Sequence, residues 1–183
     1  MDGDMLLAVD IGNTHITLGV FSGEKLGPRW RMATLIERTS DEFGLQMLGL
    51  FRYSGLQKDD IQAVIIASVV PTLTSGLLEC FKKYLGLDAL VVDAGVKTGL
   101  SIRCDDPREV GADRVVDAAA VRALYGYPAC IVDFGTATTF DAISDTGEYL
   151  GGAIAPGIEI AADALFHRAA KLPRVDIVRP PNV

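Results

Sequence analysis

The sequence predicts an α/β protein with mixed sheets, in which one domain plan is used twice. Short apolar runs alternate with amphipathic stretches, the pattern of strands alternating with helices. Two glycine-flanked aspartate turns, Asp10-Ile-Gly-Asn-Thr-His15 and Asp133-Phe-Gly-Thr-Ala-Thr-Thr139, each lie between two apolar runs. Three strand candidates followed by a helix candidate open both halves of the chain.

In the first half, residues 5–11, 16–22 and 29–33 read as consecutive strands joined by tight glycine-containing turns. A helix is expected to start near Thr39 or Ser40, with Asp41 and Glu42 in its first turn, and to reach Tyr53. Ala-Val-Ile-Ile within Gln62–Ala67 marks a buried strand, and Pro71 opens a helix running to Leu85. Val69-Val70-Pro71-Thr72 is the turn between them. Ala89–Val92 is a further strand, and Ile102 lies in a short extended piece. Asp106-Pro107-Arg108-Glu109 has the cap, proline and third-position glutamate of a helix start. Gly111 interrupts it, and Ala112–Tyr125 continues as an Ala/Val-rich helix. The pattern then restarts with strands 129–133, 137–143 and 148–154 and a helix from Gly157 to about Ala170.

These elements divide the chain into a domain over residues 1–127 and the start of a second over 128–183. The second copy is much the shorter, ending in Arg179-Pro180-Pro181-Asn182-Val183. The asymmetry predicts a truncated second domain, or one that a partner chain completes.

Composition bounds the function. An apolar fraction of 49% with 22% charged residues supports a globular core. No apolar run reaches the ~18 residues of a membrane span. The first residues, Met1-Asp2-Gly3-Asp4, are acidic where a signal peptide is basic, so a cytoplasmic location without membrane partners is expected. The net charge of −7 and the absence of a basic stripe argue against nucleic acid as a partner. Cys80, Cys104 and Cys130 show no metal-ligand spacing and are expected to be buried thiols. Trp30 is expected in the core.

A strand–turn–strand tip with a carboxylate, hydroxyls and close backbone N–H groups suits phosphate oxygens together with a metal ion. In the first turn Asp10 is the candidate Mg²⁺ ligand, Gly12 lets the backbone approach a phosphate, and Asn13 and Thr14 supply donors. The alternative is an ordinary hairpin with Asn and Gly chosen for positive φ. In the second, Asp133 stands beside Gly135, Thr136, Thr138 and Thr139, a cradle for β- and γ-phosphates. The alternative is a simple strand edge, for which threonine is also suited. Occurring twice, the motif predicts a phosphate chain clamped between the copies.

Gly111-Ala112-Asp113-Arg114 places a carboxylate and a guanidinium where a helix restarts. Asp113 there can accept a proton from an attacking hydroxyl, and Arg114 can pair with a carboxylate or a phosphoryl group. An exposed ion pair is the plain alternative, with Asp117 as the partner of Arg114. Gly151-Gly152-Ala153-Ile154-Ala155-Pro156-Gly157 permits close backbone approach and leaves N–H groups for an anion, or simply starts a helix. His15 and His167 have no nucleophile or ligand set around them. Walker-type and dinucleotide fingerprints are absent.

In this order the four segments resemble type III pantothenate kinase, a family of the acetate kinase/sugar kinase/Hsp70/actin superfamily. The resemblance runs from about Met5 to the last residues, and Asp106-Pro-Arg-Glu-Val-Gly-Ala-Asp-Arg114 is its most specific part. It implies duplicated actin-like (ribonuclease H-like) domains. It implies ATP-dependent phosphorylation of the pantothenate 4′-hydroxyl, the first step of coenzyme A synthesis. In that reading Asp113 is the general base, with Gly111 and Arg114 at pantothenate. Asp10 lies near Mg²⁺, and Asp133 lies beside a monovalent cation, K⁺ or NH₄⁺. Thr136, Thr138 and Thr139 hold ATP phosphates, and the assembly is a homodimer.

Two departures accompany the resemblance. The family commonly has Tyr-Asp/Glu-Asn-Pro where this chain has Cys104-Asp105-Asp106-Pro107, which bears on substrate identity. Its second domain also continues well beyond the Arg179-Pro-Pro-Asn-Val end, which bears on whether this chain turns over. The competing readings are a same-fold kinase for another small hydroxy acid and a non-catalytic regulatory protein.

Overall fold

The computed structural model describes residues 4–93, 96–169 and 173–179. Residues 1–3, the helix end expected at Ala170 and the tail 180–183 lie outside the described residues. The chain falls into two compact units, one within Met1–Thr98 and Arg108–Val116, the other within Gly99–Pro107 and Asp117–Val183.

In the first unit, β1 (Met5–Ile11), β2 (His15–Ser22) and β3 (Lys25–Ala33) form an antiparallel meander. β3 starts at Lys25 rather than Arg29, because the turn at Gly23, with φ of 58°, lets pairing resume at Ser22↔Lys25. β4 (Ile61–Ser68) and the short β5 (Leu90–Val91) join parallel, giving the order β3-β2-β1-β4-β5. Alternation dictates the core. Leu7, Val9 and Ile11 on β1 and Ile16, Leu18 and Val20 on β2 are buried, while their neighbours are not.

Helices α1 (Ser40–Tyr53) and α2 (Pro71–Leu85) complete this core. Thr39 caps α1, and its side chain and Glu42 form the reciprocal pair of a capping box. Phe43, Met47 and Phe51 recur at helical spacing and are buried, and Leu73, Leu77, Cys80 and Phe81 do the same on α2. Each such side chain contributes roughly 1.5–3 kcal/mol on burial. Phe43 meets Phe81 edge-on with ring centroids 6.1 Å apart. Trp30 tilts against Phe51 at 5.6 Å, half-buried against the core rather than within it because β3 alternates exposed and half-buried residues.

In the second unit, β6 (Ser101–Ile102) pairs parallel with β9 (Glu148–Pro156). β9 in turn pairs antiparallel with β8 (Ala137–Ile143), and β8 with β7 (Ala129–Phe134), in the order β6-β9-β8-β7. The meander β7-β8-β9 repeats β1-β2-β3, and α4 (Ile158–Arg168) follows it as α1 follows β3. Helix α3 (Ala112–Leu124) joins the halves in sequence. The helix start expected at Asp106-Pro107 is a separate 3₁₀ turn, Pro107–Glu109.

The cysteine expectation holds for one thiol only. Cys80 is buried, Cys104 is half-buried and Cys130 is exposed, because β7 leaves most of its residues open. Among the described residues no helix is long and apolar enough to cross a membrane.

Candidate active site

In the first unit the Asp10 turn is held from three sides. The Gly12 N–H donates to the His15 carbonyl at 2.9 Å, closing the hairpin. Thr34, just beyond β3, donates its N–H to the Thr14 carbonyl at 2.9 Å and its hydroxyl to the Gly12 carbonyl at 2.7 Å. Neither Gly12 nor Asn13 has positive φ, so the ordinary-hairpin explanation of those residues does not hold. Glycine at 12 relieves crowding instead, since a Cβ would stand a tight 3.2 Å from the His15 oxygen. Asp10, Asn13 and Thr14 are exposed at this strand end.

The Gly111–Arg114 segment belongs to the same unit. β4 pairs with β1 up to Ile11↔Ser68, and the Val69 N–H then donates to the Ile11 carbonyl at 3.0 Å. Val69 is also the neighbour of Gly111, 3.5 Å from where a Cβ would be. The Val69 turn therefore links the Asp10 hairpin to the helix start that carries Asp113. Ser68 supports this turn, accepting from the Val70 N–H at 3.1 Å and the Thr74 hydroxyl at 2.8 Å.

At that helix start the Asp113 carboxylate folds back over Gly111. Its Oδ1 lies 2.5 Å from the Cβ position there and accepts from the Arg114 N–H at 2.8 Å. A carboxylate in the first turn of a helix is favoured by the exposed N–H groups and the helix dipole. Asp113 and Arg114 are both half-buried, accessible to a small substrate yet positioned. Arg114 and Asp117 both take part in interactions.

In the second unit the Asp133 turn repeats the first with one residue fewer. Asp10↔Thr17 and Ile11↔Ile16 flank the first turn, whereas Asp133↔Thr139 and Phe134↔Thr138 flank the second. The Gly135 N–H donates to the Ala137 carbonyl at 2.9 Å, and an Asp133 oxygen lies 3.4 Å from the Cβ position of Gly135. Thr136 is exposed, Thr139 half-buried and Thr138 buried at 7%. Thr138 and Thr139 point to opposite faces of β8, as the period of two requires.

Gly157, the N-cap of α4, seats on this turn. Its N–H donates to the Thr136 carbonyl at 3.1 Å, and a Cβ would collide with the Thr136 carbonyl and come within 2.5 Å of the Gly135 oxygen. Sequence reading expected close backbone approach in the Gly157 segment with N–H groups left for an anion; the approach is to the Asp133 turn, and the Gly157 N–H is taken by the Thr136 carbonyl. That reading missed Thr34, Ser68 and Thr74, which carry no motif and matter only through where the strands end. It also missed the buried pair Asp141 and Tyr149, for which alternating β8 residues gave no separate signal.

Among the described residues no group of three or more His, Cys, Asp or Glu side chains is arranged to hold a metal ion. Mg²⁺ does not need one, because it commonly takes one or two carboxylates and completes its octahedron with phosphates and water. Asp10 at a strand end, beside a glycine whose Cβ would crowd the turn, fits that donor pattern.

A family model described as type III pantothenate kinase matches residues 6–183. The type III pantothenate kinase of Moorella thermoacetica is 62% identical over 179 residues, 98% of this chain and 70% of the relative. That of Geobacter sulfurreducens is 56% identical over 176 residues, covering 96% and 69%. The chain thus spans about 70% of the length of the curated relatives it matches. Among solved structures, the ethanolamine utilization protein EutJ from Carboxydothermus hydrogenoformans superposes with a TM-score of 0.54 at 16% identity, over 91% of this chain and 57% of that one. The Aquifex aeolicus Ppx/GppA phosphatase gives 0.52 at 14% identity, over 90% and 56%. At those identities the likeness is one of fold, and it bears out the α/β class expected from the sequence.

Proposed function

The chain belongs to the type III pantothenate kinase family, and from that premise we propose that it transfers the γ-phosphoryl group of ATP to the 4′-hydroxyl of pantothenate, opening coenzyme A synthesis. The observation that carries this reading is the Asp113 carboxylate, held over Gly111 at a helix start that the Val69 turn links to the Asp10 hairpin. In phosphoryl transfer the protein contributes mainly position and charge.

Asp113 takes the proton of the 4′-hydroxyl as its oxygen bonds to the γ-phosphorus and ADP departs. Arg114 pairs with the pantothenate carboxylate, for which its planar fork is suited. Gly111 leaves the space in which Asp113 stands. Gly12, Asn13 and Thr14 serve phosphates through backbone and hydroxyl donors in one unit, and Gly135, Thr136, Thr138 and Thr139 do so in the other. Asp10 would hold Mg²⁺ and Asp133 a monovalent cation such as K⁺, which neutralise charge on the phosphates when bound. A homodimer is the proposed assembly.

A coupled ADP-release assay with pantothenate, Mg-ATP and K⁺ tests the reading. Turnover is expected to require pantothenate and to fall about 10²–10⁴-fold in Asp113→Asn, the range for loss of a general base. Turnover that ignores pantothenate, or that survives in Asp113→Asn, overturns it. Cys104 and Asp106 favour a second reading, a kinase for another small hydroxy acid, and a substrate panel in the same assay decides between the two.

A further inference from the structure

Thr138 and Asp141 are the buried polar side chains among the described residues, and both lie on β8, the strand that leaves the Asp133 turn. Asp141 is 2% exposed and accepts a hydrogen bond at 2.5 Å from the hydroxyl of Tyr149, which is itself fully buried. A polar carboxyl group removed from water is costly unless it is well partnered, so its presence in a small sheet calls for a reason beyond packing.

The reason lies in how β9 is built. Its register with β8 runs Thr139↔Ile154, Phe140↔Ala153, Asp141↔Gly152 and Ala142↔Gly151, then jumps to Ile143↔Tyr149. Leu150 is the extra residue, a β-bulge, and Gly151 beside it has φ of 100°, open in practice only to glycine. In regular pairing Leu150 would oppose Ile143 and share the face of Asp141. The bulge turns Leu150 outward, where it is 51% exposed, and puts Tyr149 on that face instead. Gly152, opposite Asp141, adds no side chain there. On the other side of the jump the same strand keeps the pairs Thr138↔Ala155 and Ala137↔Pro156 and leads into Gly157, which fits against Gly135 and Thr136.

We propose that the Asp141–Tyr149 pair is a positioning device for nucleotide binding. The hydrogen bond pins the bulged register of β9 on β8 and thereby seats Gly157 and the start of α4 against the Gly135–Thr136 turn. Neither residue touches the phosphates. The inference rests on the assignment of the Asp133 turn to ATP phosphates made above, and deepens it.

The test uses the full chain and two readouts, Mg-ATP affinity by calorimetry without pantothenate and steady-state KM values for each substrate. Tyr149→Phe keeps the ring and removes the donor. Its Kd and KM for ATP are expected to rise roughly tenfold, the upper weight of one buried hydrogen bond, with the pantothenate KM held within about twofold. Asp141→Asn keeps an acceptor oxygen for the phenol and is expected to stay within about threefold of the parent in ATP affinity. An ATP affinity unchanged in Tyr149→Phe overturns the proposal, as does an equal rise in both KM values. A loss in Asp141→Asn as large as in Tyr149→Phe also overturns it. If the parent chain binds Mg-ATP without pantothenate-dependent turnover, and Tyr149→Phe still weakens binding, the substrate assignment falls and the positioning pair stands. A parent chain that does not bind Mg-ATP overturns both.

Discussion

The Gly157 N–H donates to the Thr136 carbonyl at 3.1 Å, and no space remains for a Cβ between them. The start of α4 therefore rests directly on the backbone of the Asp133 turn. Replacing Gly157 by alanine forces one of two backbones to move, and neither is the end of a flexible side chain. Gly157→Ala is expected to cost about 1–3 kcal/mol in urea unfolding, the range for overpacking, and to weaken Mg-ATP binding. Unchanged unfolding and binding would show that the turn and the helix start separate freely.

The first unit has a comparable arrangement in Gly111 and Asp113. A methyl group at 111 occupies the place of the Asp113 Oδ1, which must then swing away. Gly111→Ala is expected to lower kcat by about 10²-fold, the scale for a catalytic group displaced by an ångström, with the ATP KM little changed. Steady-state kinetics beside Asp113→Asn measure this, and a kcat equal to the parent's would separate the Gly111 contact from turnover.

Helix α1 depends on its cap. Thr39 accepts from the Glu42 N–H and donates its own N–H to the Glu42 carboxylate. Thr39→Ala is expected to destabilise the chain by about 1 kcal/mol, read from urea or thermal unfolding.

The thiols should separate by environment. Burial pushes the Cys80 thiol up to about 12, and the neighbouring carboxylates Asp41 and Glu79 act in the same direction. At pH 8 a thiol-specific disulfide reagent is expected to label exposed Cys130 rapidly and Cys80 only after denaturant is added. Rapid labelling of Cys80 in the native chain would mean that α2 opens on the timescale of the reaction.

Acid should weaken the α1–α2 contact. The Lys83 ammonium, bonded to Asp41 at 2.6 Å, and then the Tyr84 hydroxyl hold the Asp41 carboxyl below its ordinary 3.8. Its folded value is therefore lower than its unfolded value. The stability it contributes is complete above about pH 3.8 and is lost as pH falls through the folded value. Thermal unfolding between pH 2 and 5 is expected to show a shallower acid-side loss in Asp41→Asn, and salt should shrink the difference because the pair is exposed.

Most of the elements were legible in the sequence because their signals are local. Short apolar runs marked β1, β2 and β8, while Thr39, Pro71 and Gly157 marked helix starts. Boundaries moved where pairing reached past the pattern, as at Lys25, or where a helix start stayed a single 3₁₀ turn, as at Pro107. The exposure of Cys130 was not legible, since it depends on what covers β7. Asp10, Asp113 and Asp133 stood out because a carboxylate beside a glycine breaks the apolar pattern. Thr34 and Ser68 did not, because an isolated threonine or serine has no pattern to break.

By itself the sequence determined the α/β class, the repeated hairpin and the residue types able to meet phosphates, because these follow from spacing along a single chain. Only the tertiary structure decided that Val69 links the Asp10 hairpin to Gly111, that Gly157 abuts Thr136, and that a bulge at Leu150 turns Tyr149 onto Asp141. Each of these joins residues distant in sequence or depends on a strand register. Register is set by the summed packing and hydrogen bonding of whole strands, which no short stretch of sequence encodes.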